Sequence, residues 1–288
     1  MNTSLKRYTQ SGIYIQLLLV VLMSGCTQDI ELDLPTADEV LVVEGSIEQG
    51  SPALLMLTRN LPFSEASDFV TQDDLIIKDA IITVSDGTNT DVMEQIPEGL
   101  IFGGTGMYWT TNMFGEIGKT YHLTIEYEGT VLTAQTTIPK PVSVDTLWFQ
   151  TEQNFHDIGF VWTTLHDPDT LGNYYKFFAK NTQDWFFSKP FGTTFEDKFF
   201  NGQSFDVFFD RNEEVLFDET GMFQVGDTAV LKLTSIDQKT FKFWRTYEAE
   251  KNQRNNPFLE APEISSNISG GLGLWAGYGA YYDTLIIR

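Results

Sequence analysis

One cysteine, Cys26, is all that this chain of 288 residues contains. Intrachain disulfides are thereby excluded, and the fold must be held by packing and hydrogen bonds. Positive charge is scarce as well. Eighteen Lys and Arg stand against 40 Asp and Glu, for a formal net charge of −22. Such a surface repels nucleic-acid phosphates and anionic lipid head groups, so nucleic acid is set aside as a partner. Beyond residue 23 no apolar run approaches the ~18 residues of a membrane-spanning helix. The three histidines, His122, His156 and His166, never pair at metal-ligand spacing, and no G-x-S-x-G elbow exists. Aromatic residues are abundant, at 14% within 42% hydrophobic content, which is ample for packed cores and argues against disorder.

The N-terminus has its own chemistry. Lys6 and Arg7 precede an apolar run from Leu17 to Met23, too short to span a bilayer stably. Ser24 and Gly25 are small enough to enter a peptidase cleft, and Cys26 follows them. The pattern resembles the bacterial lipobox. It predicts a signal peptide over 1–25 and a lipidated, palmitate-bearing Cys26; a plain secretory peptide is the alternative. Residues 26–38 then read as a lipidated tether, acidic through Asp29, Glu31 and Asp33. That stretch resembles, with fewer acids, the export signals of cell-surface lipoproteins in Bacteroidota. Thr27 is not the aspartate associated with inner-membrane retention. The expectation is a protein anchored in the outer membrane through Cys26, on its periplasmic face or at the cell surface.

From Glu39 onward the pattern is β. Leu41–Ile47 and Ala53–Thr58 are short and β-rich, separated by the turn cluster Gln49-Gly50-Ser51-Pro52. Ala80–Ser85 follows. Tyr121, Leu123, Ile125 and Tyr127 alternate with polar residues, and Glu128-Gly129 turns the chain into Val131–Ile138. This spacing predicts an immunoglobulin-like or transthyretin-like β-sandwich over 39–140. Pro139-Lys140-Pro141 breaks the pattern. The remainder, 141–288, reads as an aromatic-rich β domain with strands at 142–150, 158–165, 174–180, 204–209, 229–235 and 281–287. One helix is predicted over about 236–253, with Ser235 as N-cap and Gln238 completing a capping box.

Candidate chemistry is thin. Gly118-Lys119-Thr120 ends like a P-loop, but Met113 replaces the required glycine and a strand follows, so these residues read as a turn. Asp167, Asp169 and Asn173 offer oxygens for calcium, although Asp-Pro-Asp in a β connection is ordinary turn chemistry. No cofactor is implied. The aromatic residues either fill a core or stack on sugar rings or apolar peptide side chains. Trp185-Phe186-Phe187 is the ligand-binding candidate, because three consecutive aromatics on a strand cannot all face inward. Asp-Thr followed by an apolar residue recurs at Thr146, Thr170, Thr228 and Thr284. It looks like the acceptor motif for periplasmic O-glycosylation in Bacteroidota, or else like turns that open strands.

Over its full length the chain resembles the domain-of-unknown-function 4249 family of Bacteroidota outer-membrane lipoproteins. The pieces that carry this are Leu41–Ile47, Asp79-Ala80, Gly118–Leu123, Asp167-Pro168 ahead of Asn173-Tyr174-Tyr175, Asn201-Gly202-Gln203, Asn256-Pro257-Phe258 and Ser266–Gly273. Members are often encoded beside TonB-dependent receptors. The resemblance therefore implies a non-catalytic binding or docking accessory of an uptake system, with a TonB-dependent outer-membrane receptor as partner. It supplies no catalytic residues. A surface hydrolase acting on glycan or peptide and a purely structural envelope protein are the alternatives.

Overall fold

The computed structural model describes residues 39–60, 71–97, 106–153, 155–190, 192–211, 221–253 and 262–288. Cys26, the signal peptide and the tether lie outside the described residues, as do Asn256, Pro257 and Phe258.

The chain is mainly β. The first half gives β1 (Leu41–Glu48), β2 (Pro52–Arg59), β3 (Ile81–Ser85), β4 (Thr90–Val92), β5 (Glu94–Gln95), β6 (Met107–Phe114), β7 (Thr120–Tyr127) and β8 (Thr130–Thr137). After Pro139-Lys140-Pro141 come β9 (Val144–Thr151), β10 (Ile158–His166), β11 (Tyr174–Asn181), β12 (Thr194–Glu196), β13 (Ser204–Phe209), β14 (Phe223–Gln224) and β15 (Thr228–Ile236). The helix α1 (Gln238–Gln253) and the long strand β16 (Leu272–Ile286) follow.

These strands make one large sheet and two small ones in a sandwich-like arrangement. The large sheet runs β12-β11-β15-β16-β1-β2-β6-β5. The small ones are β4-β3-β7-β8 and β13-β10-β14, with β9 also paired to β10. Among the described strands every ladder is antiparallel except β1 with β16. β16 lies between β15 and β1, so strands from either side of the Pro139–Pro141 segment share one sheet.

Period two assigns the faces. Val43, Ile47, Leu55, Leu57 and Trp275 point to one side of the large sheet and pack with Ile82, Tyr121, Leu123 and Leu132 of the β4-β3-β7-β8 sheet. On that same side, Tyr175, Phe177, Leu231 and Leu233 pack with Val161, Leu165, Val207 and Phe209 of the other small sheet. The opposite side carries Phe178, Ile236, Leu274, Ala276 and Tyr278, which pack with Trp244 of α1. One broad sheet is thus covered by two sheets on one face and by a helix on part of the other.

Two expectations are corrected here. The terminal strand starts at Leu272, not Tyr281, because Gly273, Gly277 and Gly279 lie within the sheet and let neighbouring backbone approach. The N-cap of α1 is Asp237, not Ser235. The Asp237 Oδ1 accepts the Thr240 backbone N–H at 2.8 Å, whereas Ser235 belongs to β15 and is buried.

Candidate functional site

The described residues cover only part of the face of the large sheet that carries α1, and a groove of about 620 Å³ lies beside the helix. Its floor comes from β1, β2 and β16 through Val42, Ser46, Leu54, Met56, Leu272 and Leu274. One wall is the aromatic edge of α1, formed by Phe243, Trp244 and Tyr247. Spacings of three and four residues put these rings on one side of the helix. The other wall is Phe178 with Phe187 and Lys189 from the segment after β11.

The charged groups that line the groove are paired. Lys189 Nζ meets Glu44 Oε1 at 2.9 Å, and Lys232 Nζ meets Glu48 Oε2 at 2.5 Å. Lys232 is also ringed by Phe178, Phe187, Tyr278 and Tyr282, with its ammonium 5.2 to 5.8 Å from their centroids. Tyr282 donates its O–H to Glu48 Oε1 at 2.6 Å. Burial, reinforced by that carboxylate, pushes the Tyr282 phenol well above its ordinary value. Tyr278 is raised by burial too and accepts the Trp244 indole N–H at 3.3 Å. Both phenols therefore remain protonated, as hydrogen-bonding groups rather than bases.

Beneath the helix a polar cluster fixes the wall. Lys176 is fully buried and donates to Glu248 Oε1 at 2.7 Å, the Pro190 carbonyl at 2.8 Å and Thr193 Oγ1 at 2.9 Å. These three bonds use all three ammonium protons. Thr194 donates to the same Glu248 oxygen at 2.6 Å. Desolvation pushes Lys176 down to about 8 against the pull of Glu248. The cluster ties α1 to β11 and to the chain leading into β12, so the groove has a rigid side.

The residues singled out from the sequence scatter around this site. Trp185-Phe186-Phe187 lies in a bend and not on a strand; Trp185 is 69% and Phe186 66% exposed, while Phe187 enters the groove wall. Asp167, Asp169 and Asn173 do come together, as a hydrogen-bonded loop. Asp167 is fully buried and accepts from the Tyr175 hydroxyl at 2.5 Å and the Gly202 N–H at 3.0 Å, while Asp169 accepts from Asn201 at 3.2 Å. These oxygens are committed to holding the turn. Among the described residues no three His, Cys, Asp or Glu side chains converge as a metal site. Thr146, Thr170 and Thr284 are exposed and Thr228 is half-buried; they sit in β9, the β10–β11 loop, β16 and the start of β15. Each of the three histidines lies away from the groove, His122 on β7, His156 before β10 and His166 at its end.

Residues 27–281 match a family model described as Domain of unknown function (DUF4249). The chain belongs to the DUF4249 family. No curated protein matches this DUF4249 chain. The groove residues Val42, Ser46, Leu54, Met56, Lys232 and Leu272 carried no local signal, because they meet only when β1, β2, β15 and β16 pair. The aromatic spacing of α1 was the one sign of this wall available in the sequence.

Proposed function

We propose that this protein is a non-catalytic binding accessory of a TonB-dependent uptake system, held at the outer membrane by lipid on Cys26, and that the groove beside α1 is its binding site. The observation that carries this reading is the groove itself: an open cleft of about 620 Å³ with aliphatic floor and aromatic walls. Ligand sites are typically clefts of ~300–1,000 Å³ with apolar lining and few polar groups. The exposed Lys189–Glu44 pair can orient an apolar segment without being desolvated, while Lys232–Glu48 is already largely buried. Membership of the DUF4249 family over residues 27–281 supports the same role, given the family's association with such receptors.

The test is crosslinking of the native lipoprotein in intact cells, followed by gentle detergent purification. A stoichiometric TonB-dependent barrel is expected with the natural chain. It is expected to be lost with Ser46→Trp, which fills the groove floor. Recovery of a lone lipoprotein from wild-type cells refutes the accessory role.

A further inference from the structure

The outer face of the small sheet formed by β9, β10 and β13 carries a different feature. Val161, Leu165, Val207 and Phe209 point inward and are buried, so their strand neighbours point out. Trp148, Trp162 and Phe208 occupy paired positions on the three strands and make a continuous aromatic row. The two indoles lie 19° from parallel with centroids 6.2 Å apart, and the Phe208 ring is 4.9 Å from Trp162. Phe160, two residues along β10, packs edge-on to Phe208 at 5.2 Å. Phe208 is 51% exposed, and the other three rings are half-buried.

Polar groups interleave with the row. Gln150 pairs with Phe160 across the strands, and Thr164 donates to Asp206 at 2.7 Å one step further along. A hollow of about 210 Å³ opens at the Gln150 end, bordered by Glu152, Gln153, Phe160, Trp162 and Phe208. The indole Nε1–H of Trp162 is shut away from bulk water, and among the described residues nothing accepts its hydrogen bond. The row therefore offers ring faces and edges to solvent, and not this N–H.

We propose that this face binds a neutral oligosaccharide. Pyranose rings offer apolar C–H faces to aromatic side chains and hydroxyls to the groups at their edges. Gln150 both donates and accepts, and Glu152 and Asp206 accept hydroxyl protons. Charge makes the sugar neutral: these two carboxylates and the net charge of −22 repel uronic or sialic acids. Size separates a sugar from a protein partner. Four rings of ~150–250 Å² each, three of them already half-buried, leave about 400 Å² or less exposed, short of the ~800 Å² that each side of a stable protein interface buries. The face lies on a different sheet from the groove, so the two sites stand or fall separately.

Tryptophan fluorescence and calorimetry on the full chain, titrated with cellohexaose, laminarihexaose, mannohexaose and maltohexaose, test this. At least one hexasaccharide is expected to bind saturably. Phe208→Ala is expected to weaken it roughly tenfold by removing a stacking ring. Trp162→Phe shrinks the central ring of the row, and is expected to weaken binding several-fold. Ser46→Trp, in the groove, is expected to leave the affinity unchanged. Silence of all four sugars overturns the proposal, as does binding that both row variants retain or that Ser46→Trp abolishes. Circular dichroism establishes that each variant is folded. Should Trp162→Phe fail to fold, Gln150→Ala on the exposed rim gives the same reading.

Discussion

At the scale of single residues the most consequential pair is Lys176 with Glu248, buried together between β11 and α1. Removing one partner of a buried ion pair strands the other charge. Lys176→Met is therefore expected to cost about 3–5 kcal/mol, and Lys176→Met with Glu248→Leu to recover most of that. Denaturant unfolding of the three proteins checks it. The pair also sets a pH dependence. Lys176 titrates near 8 in the folded chain and at 10.5 when unperturbed. Between those values the unfolded chain holds a proton that the folded chain has released, so stability rises with pH across that window. Below pH 8 both forms hold it and the desolvation penalty is felt in full. Wild type is thus expected to gain on the double variant from pH 8 to 10.5; a flat difference would show that Lys176 titrates normally.

At the scale of elements, α1 and β16 bear the strain of assembly. Asp237 caps α1 through the Thr240 N–H and also accepts the Thr136 hydroxyl of β8 at 2.9 Å. Asp237→Ala is expected to lower stability by about 1–2 kcal/mol, the upper end reflecting the orphaned threonine. Ser235→Ala is expected to be nearly silent, since the Ser235 Oγ has no partner among the described residues, and urea melts of both variants separate the two caps. The cap read from the sequence at Ser235 falls two residues early, because β15 continues through Ile236 before the chain can turn. On β16, Trp275 pairs with Gly45 of β1, and a Cβ at Gly45 would sit 2.9 Å from the indole. Gly45→Val is expected to displace Trp275 and cost about 1–3 kcal/mol, visible as a changed near-ultraviolet spectrum.

At the scale of the whole molecule, β16 joins what the chain order separates. It pairs with β1 over Val42 to Glu48 and with β15 over Thr228 to Ser235. Both sheet-on-sheet cores draw on it, through Trp275 in one and through Tyr281 and Leu285 in the other. Unfolding is therefore expected as one transition, coincident by far-ultraviolet circular dichroism and tryptophan fluorescence. Two resolved transitions would mean that residues 39–140 and 141–288 fold as separate units.

Much of this was legible in the residues. Alternation in Tyr121–Tyr127, turn pairs such as Glu128-Gly129 and the 3.6 periodicity of Phe241, Trp244 and Tyr247 are local signals, and they fixed the β class, most long strands and the helix. The short β4, β5, β12 and β14 were not legible, because strands of two or three residues exist only through their partners, and β6 was missed as well. The groove was illegible for the same reason. Val42 and Leu272 are 230 residues apart, and register alone puts them side by side. Composition and periodicity thus determined which residues had to be buried and in which kind of element. Which face Lys176, Trp244 and Trp162 would share, and with whom, was decided only when β1 and β16 paired and one sheet acquired two sides.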